Sequence, residues 1–204
     1  MKKIIASLAM IVLVSTFAIG ATRAYFSDTE TSTGNTFTAG TLDLNVDGGN
    51  INVVKFTVGN MRPGSQPKGT YTLANVGTVN GFIDLENIAV TSYENICITP
   101  ETGAGDITCG NPGMGKGELQ DVVNVRLFWD YDGDGWIGVG ETVFYNGLVK
   151  DLPGNLEENK PLNAGNTTYI TAIFDWWSTP SDNLAQSDSM VLDLEIELGQ
   201  DTSQ

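Results

Sequence analysis

The chain has no histidine among its 204 residues. That absence removes the serine triad, the Cys–His pair and the paired-histidine helix of zinc proteases together. Basic residues are scarce as well: 10 Lys and Arg stand against 25 Asp and Glu, for a net charge of −15. A surface of that sign repels phosphate backbones and anionic headgroups, which argues against nucleic acid or a membrane surface as partner. Charged residues are few, helix-favouring Ala/Glu/Lys/Leu runs are missing after the first 24 positions, and Gly is abundant. This combination predicts short strands joined by turns. Only two cysteines occur, Cys97 and Cys109. In an exported chain a close pair reads as one disulfide, and closing so short a loop contributes up to about 3 kcal/mol. With no histidine beside them, the pair suits neither a zinc site nor a reactive thiol.

One long apolar run exists, and it sits at the N-terminus. Lys2-Lys3 precede Ile4–Ile19, and Thr22-Arg23-Ala24 follows. The run falls short of the roughly 20 residues of a spanning helix and ends in small residues. Residues 1–24 therefore read as a signal peptide cut between Ala24 and Tyr25, with an uncleaved anchor as the weaker alternative. Removing Lys2, Lys3 and Arg23 takes the net charge to −18. No second such run follows, so the expected product is secreted, to the extracellular matrix or cell surface, without inserting in a membrane.

Beyond the cut, Tyr25 to Asn35 is polar, Ser/Thr-rich and extended in propensity, with Tyr25 and Phe26 as its large apolar residues. From residue 36 onward the pattern is β. Leu42, Leu44 and Val46 alternate with polar neighbours, and a turn at Asp47–Asn50 leads into Ile51–Val58. Further strands are expected over Lys68–Thr78, Gly81–Val90, Val122–Trp129, Thr142–Tyr145, Thr167–Trp176 and Met190–Leu198. In the last, Met190, Leu192, Leu194, Ile196 and Leu198 share one face. Glycines dominate an insertion at about 94–120 that reads as irregular and stapled by the Cys pair. About nine short strands without helical periodicity predict one all-β domain, an antiparallel two-sheet sandwich spanning 36–204.

One stretch carries specific chemistry. Asp130-Tyr131-Asp132-Gly133-Asp134-Gly135-Trp136-Ile137-Gly138-Val139-Gly140-Glu141 fits the twelve-residue calcium-loop template. Asp130, Asp132 and Asp134 occupy positions one, three and five, Trp136 offers its carbonyl at seven, and Glu141 stands at twelve. A hard cation requires such convergence of oxygens, and calcium is the expected ion, structural because the loop joins strands. An acidic hairpin turn is the plainer reading. Asn166-Thr167-Thr168 is a glycosylation sequon at Asn166. Asp175-Trp176-Trp177 reads either as core and interface or as a sugar-stacking platform. No catalytic constellation stands out, and no particular Asp/Glu pair is selected as a glycosidase dyad.

The chain resembles the TasA/camelysin family of exported fibre proteins. The resemblance rests on the junction Ala24-Tyr25-Phe26-Ser27-Asp28-Thr29-Glu30 and on Phe37-Thr38-Ala39-Gly40-Thr41-Leu42-Asp43-Leu44. It extends to Met61-Arg62-Pro63-Gly64, Leu73-Ala74-Asn75-Val76-Gly77-Thr78, and Trp177–Asn183 with Gln186 and Asp188. It implies a jelly-roll-like sandwich, a signal cut by a SipW-type peptidase just before Tyr25, and fibres of the biofilm matrix or cell surface. The freed N-terminal segment 25–35, with Tyr25, Phe26, Ser27, Asp28, Thr29, Glu30 and Thr31 leading, would act as a donor strand inserted into the next copy of the chain. Some members are classed as metallopeptidases; that activity is not carried over to a chain without histidine. The competing reading is a calcium-stabilised carbohydrate-binding or adhesion module, with a secreted enzyme third.

Overall fold

A computed structural model describes residues 40–200. The signal peptide, the junction Ala24–Tyr25 and the donor segment 25–35 lie outside the described residues. Among the described residues, ten strands form two antiparallel sheets: β1 (Leu44–Val46), β2 (Val53–Gly59), β3 (Lys68–Asn75), β4 (Gly81–Glu94), β5 (Gly113–Met114), β6 (Val123–Asp130), β7 (Thr142–Leu148), β8 (Leu156–Leu162), β9 (Thr167–Trp176) and β10 (Ser189–Gly199). One sheet runs β1-β3-β9-β6-β7 and the other β2-β10-β4-β5, with β8 pairing the first half of β4. Of the connections, only β4–β5 and β6–β7 stay within one sheet. The fold is an all-β, jelly-roll-like sandwich.

The core follows from period-2 alternation. On β10, Met190, Leu192, Leu194 and Ile196 are buried, and Leu198 packs partly against the same cluster. Val54, Phe56 and Val58 of β2 do the same beside exposed Val53, Lys55 and Thr57. From the opposite sheet come Leu73, Val125, Leu127, Trp129, Ile170, Ala172, Phe174 and Trp176. Phe56 meets the rings of Tyr71 and Phe174 edge-on at 5.3 and 6.0 Å between centroids. The central strands β6 and β9 are buried along nearly their whole length, so an ion pair on them must be well made. Arg126 Nε donates to Asp175 Oδ2 at 2.8 Å.

Two expectations need correction. The insertion at 94–120 is more regular than its glycines imply. It holds α1 (Thr99–Ala104), a 3-10 turn at Thr108–Gly110, β5 and α2 (Leu119–Val122). Pro100 sits at the start of α1, Glu101 folds back onto the Ile98 N–H, and Gly105 ends the helix in the left-handed region at φ 83°. These are start and stop signals read too broadly as loop. Strand β8 was not expected, because Leu156–Leu162 carries three charges and a proline without alternation. It is an edge strand, the one sheet position where Pro161 is tolerated.

Candidate functional site

Two of the quoted motifs meet in space. Residues 41–43 lie against residues 75–79: Thr41 N donates to Thr78 Oγ1 at 2.9 Å, Thr78 N to Thr41 O at 2.8 Å, and Val76 N to Asp43 O at 2.8 Å. Asn75, 1 % exposed, braces this turn from inside. Its Nδ2 donates to the carbonyls of Val79 and Leu162, and its Oδ1 accepts the Gly77 N–H. A Cβ on Gly77 would stand 2.2 Å from the Thr41 carbonyl oxygen, so only glycine lets the two segments approach. The clamp fixes where the chain enters the sandwich at residue 40. Gly77→Ala is expected to open it at a cost of about 2–4 kcal/mol, read as a lowered melting temperature.

Among the described residues, the sheet beside the clamp is incompletely paired. β1 is three residues long and covers only Leu73–Asn75 of β3. Among the described residues, Lys68–Tyr71 of β3 and the whole of β2 carry a strand partner on one side only. Between them lies a groove of about 360 Å³ with Phe56, Val58, Tyr71 and Phe174 in its lining and Asp47, Lys55 and Lys68 among its polar residues. Tyr71 Oη donates to the Lys55 carbonyl at 2.6 Å and ties the two strands across it.

The acidic loop links β6 to β7. Asp130 ends β6 fully buried, and both its oxygens point back into the loop: Oδ1 accepts Gly133 N at 2.6 Å, and Oδ2 accepts Gly135 N and Thr171 Oγ1, each at 2.8 Å. Glu141 closes the circuit, its oxygens accepting Tyr131 N at 2.8 Å and Gly138 N at 2.6 Å. Gly133 and Gly135 take φ of 73° and 77°, which the tight turn requires. Oxygens of Asp130, Asp132 and Glu141 lie within 4.8 Å of one another. Oxygens sharing one calcium at its usual bond length stand within about 5 Å, so this trio could hold a metal ion. Asp134 is not in the trio; its Oδ1 accepts the Trp136 N–H at 2.7 Å. The Trp136 indole is half exposed, with Lys68 Nζ 3.8 Å from its ring centre and 3.0 Å from the Asp134 carbonyl oxygen. Lys68 and Thr171, from neighbouring strands, are partners the sequence did not reveal. Lys68 thus brings a positive charge to the loop's backbone.

The remaining predicted positions separate cleanly. Cys97 and Cys109 are joined in a disulfide. Asn166 is exposed in the turn before β9. Trp176 is core, its indole N–H donating to Asp182 Oδ1 at 2.8 Å, whereas Trp177 is 64 % exposed. The two rings therefore form no joint sugar platform. Asp182 also accepts from Thr179 and Ser178, and these bonds together hold its carboxyl below the usual range against the burial that would raise it.

A two-sheet sandwich closed by the clamp motifs spelled out above defines a class of β-sandwich proteins. The sequence profile of the family described as camelysin metallo-endopeptidase matches residues 1–109, and the chain belongs to that family. No curated protein matches the chain. The metal that the family's description implies finds no histidine here, and both thiols are in the disulfide. A zinc-peptidase centre of the usual nitrogen ligands does not fit these residues. The acidic trio, all oxygen, suits a hard cation instead. Among the described residues no helix is long and apolar enough to cross a membrane.

Proposed function

We propose that the chain is the structural subunit of an extracellular or cell-surface filament of the biofilm-matrix type. Cleavage by a SipW-type peptidase before Tyr25 frees segment 25–35, which adds as a donor strand to the next copy. The observation that carries this reading is the half-covered edge of β3 facing the edge of β2 that, among the described residues, has no strand partner, over a floor of Phe56, Tyr71 and Phe174. An extended segment there gains main-chain hydrogen bonds and places alternate side chains in the groove. The clamp at 41–43 anchors the base of the arm on the same subunit, so each copy donates one arm and accepts another. Such a head-to-tail contact propagates as an open filament. The subunit has no peptidase activity in this reading, and calcium in the Asp130–Glu141 loop is a structural cofactor, with Asp134 and the Trp136 carbonyl joining the trio when the ion binds.

A second reading, a carbohydrate-binding or adhesion module, is favoured by exposed Trp177. Negative-stain microscopy of the processed protein and a glycan pull-down separate the two: filaments without glycan capture support the first, glycan-bound monomers the second. Calcium has its own check. A site half-saturated at a hundredth of the free calcium stabilises by about 2.7 kcal/mol, so EDTA should lower the melting temperature by roughly 5–10 °C. A melt unchanged by EDTA would remove calcium from the account.

A further inference from the structure

The disulfide-stapled insertion closes over a second group of carboxylates, remote in sequence from the acidic loop. Glu94 ends β4, Glu101 lies in α1, Asp106 follows the end of α1, Glu118 precedes α2, and Asp188 precedes β10. Glu94, Glu101 and Asp188 are 2 %, 0 % and 2 % exposed. Oxygens of Glu94, Asp106 and Glu118 lie within 4.8 Å of one another, and Glu94 and Glu101 approach to the same limit. Asp188 joins them because its Oδ2 accepts the Glu118 N–H at 2.6 Å. The ion pairs of the described residues, Lys55–Asp193, Arg126–Asp175 and Lys150–Asp121, include none of the five.

Protein donors satisfy only part of this group. Glu101 Oε2 accepts the Ile98 N–H at 2.6 Å, and Asp106 Oδ1 accepts the Thr108 N–H at 2.7 Å. The single Thr108 hydroxyl proton is shared between Glu94 Oε2 at 3.1 Å and Asp106 Oδ1 at 2.8 Å. Asp106 Oδ2 lies 3.4 Å from Cys109 Sγ, a disulfide sulfur with no proton to give. Glu94 Oε1, Glu118 Oε2 and Asp188 Oδ1 are buried with no hydrogen-bond partner. Native proteins rarely leave buried polar atoms unsatisfied, and buried carboxylates are paired or bind metal. Burial pushes Asp188 up to about 8 and Glu118 up to about 7, and it raises Glu94, with neighbouring carboxylates adding to each.

We propose that this cluster is a calcium site, with Glu94 as the central ligand and Asp106, Glu118 and Asp188 completing an oxygen shell. The donor set contains neither nitrogen nor free thiol, which selects a hard cation. Several carboxylates converging from separate elements suit the larger, more flexible shell of calcium over the strict octahedron of magnesium. The ion ties the end of β4, the disulfide loop, the start of α2 and the entry to β10 into one unit. Glu101, capped by its own helix, adds charge from behind. The site rests neither on the filament reading nor on the Asp130 loop.

Calcium stoichiometry of the full processed chain, stripped with chelator and measured by equilibrium dialysis, tests it. With the loop disabled by Asp132→Asn and Glu141→Gln, one calcium per chain is expected to remain, and adding Glu94→Gln should remove it. In the otherwise unaltered chain, Glu94→Gln should lower the stoichiometry by one while leaving the loop site filled. The melts should also cross: in EDTA the Glu94→Gln chain melts above the parent, because a buried charge is gone, and in millimolar calcium below it. A loop-disabled chain that binds no calcium, an ion that survives Glu94→Gln, or equal occupancy by magnesium at the same concentration overturns the assignment.

Discussion

Deleting Tyr25–Thr33 is expected to leave a folded, cooperative monomer and to abolish filaments. The reasoning is one of separable parts. The buried core cluster runs from Val46 to Ile196, and the clamp holding residue 40 onward depends on Thr41, Asp43, Asn75 and Thr78, none of which the deletion touches. What is lost is a nine-residue segment that, if extended, would be long enough to run the full length of the seven-residue β2. In the proposed donor mechanism its attachment would come from backbone hydrogen bonds and from Tyr25 and Phe26, each contributing about 1.5–3 kcal/mol when buried. Replacing both aromatics by serine should therefore weaken subunit association by about a hundredfold or more, since 1.4 kcal/mol is a factor of ten. Sedimentation and microscopy read both effects. Normal filaments from the deleted chain would refute the donor mechanism.

Asp130→Ala is expected to destabilise the chain by about 3–5 kcal/mol in EDTA, and by more in calcium, which the same carboxylate would bind. The carboxylate is fully buried and accepts three donors, the N–H groups of Gly133 and Gly135 and the Thr171 hydroxyl. Truncation leaves those donors facing a hole, at about 1–3 kcal/mol for each left unsatisfied. For a domain of this size the loss corresponds to a fall in melting temperature of roughly 10–15 °C. Asp132→Asn makes the informative contrast. Asp132 is exposed, and its Oδ1 accepts only the Asp134 N–H at 3.2 Å. That variant should melt with the parent in EDTA and lose the part of the calcium stabilisation that comes through the loop. Equal losses for both variants in EDTA would show that the loop is held by something other than the Asp130 hydrogen bonds.

Much of this architecture was legible because alternation is a local signal. Met190 to Leu198 announces a half-buried strand by itself, and the turn at Asp47–Asn50 announces the end of another. The acidic loop was legible as an ordered spacing of carboxylates; the structure brings Asp130, Asp132 and Glu141 together, while Asp134 instead accepts the Trp136 N–H. What stayed hidden depended on distant partners. Thr171 and Lys68 reach the loop from β9 and β3, and nothing in their neighbourhoods marks them. Strand β8 owes its conformation to pairing with β4 and not to its own pattern. Glu94, Glu118 and Asp188 look like ordinary surface acids in the sequence, and only the folding of the insertion over them makes them buried neighbours. The clamp was partly legible: two motifs were recognisable, but not that they touch through Gly77.

The account's central claim is that a strand from one copy completes the sheet of another. The most direct measurement titrates a synthetic peptide of residues Tyr25–Asn35 into the chain lacking Tyr25–Thr33 and follows binding by calorimetry and by the melting temperature. One peptide bound per chain, saturably, with a raised melting temperature and an affinity lost on replacing Tyr25 and Phe26, is the predicted result. No binding by the peptide, from a chain whose processed full-length form still assembles into filaments, would contradict it.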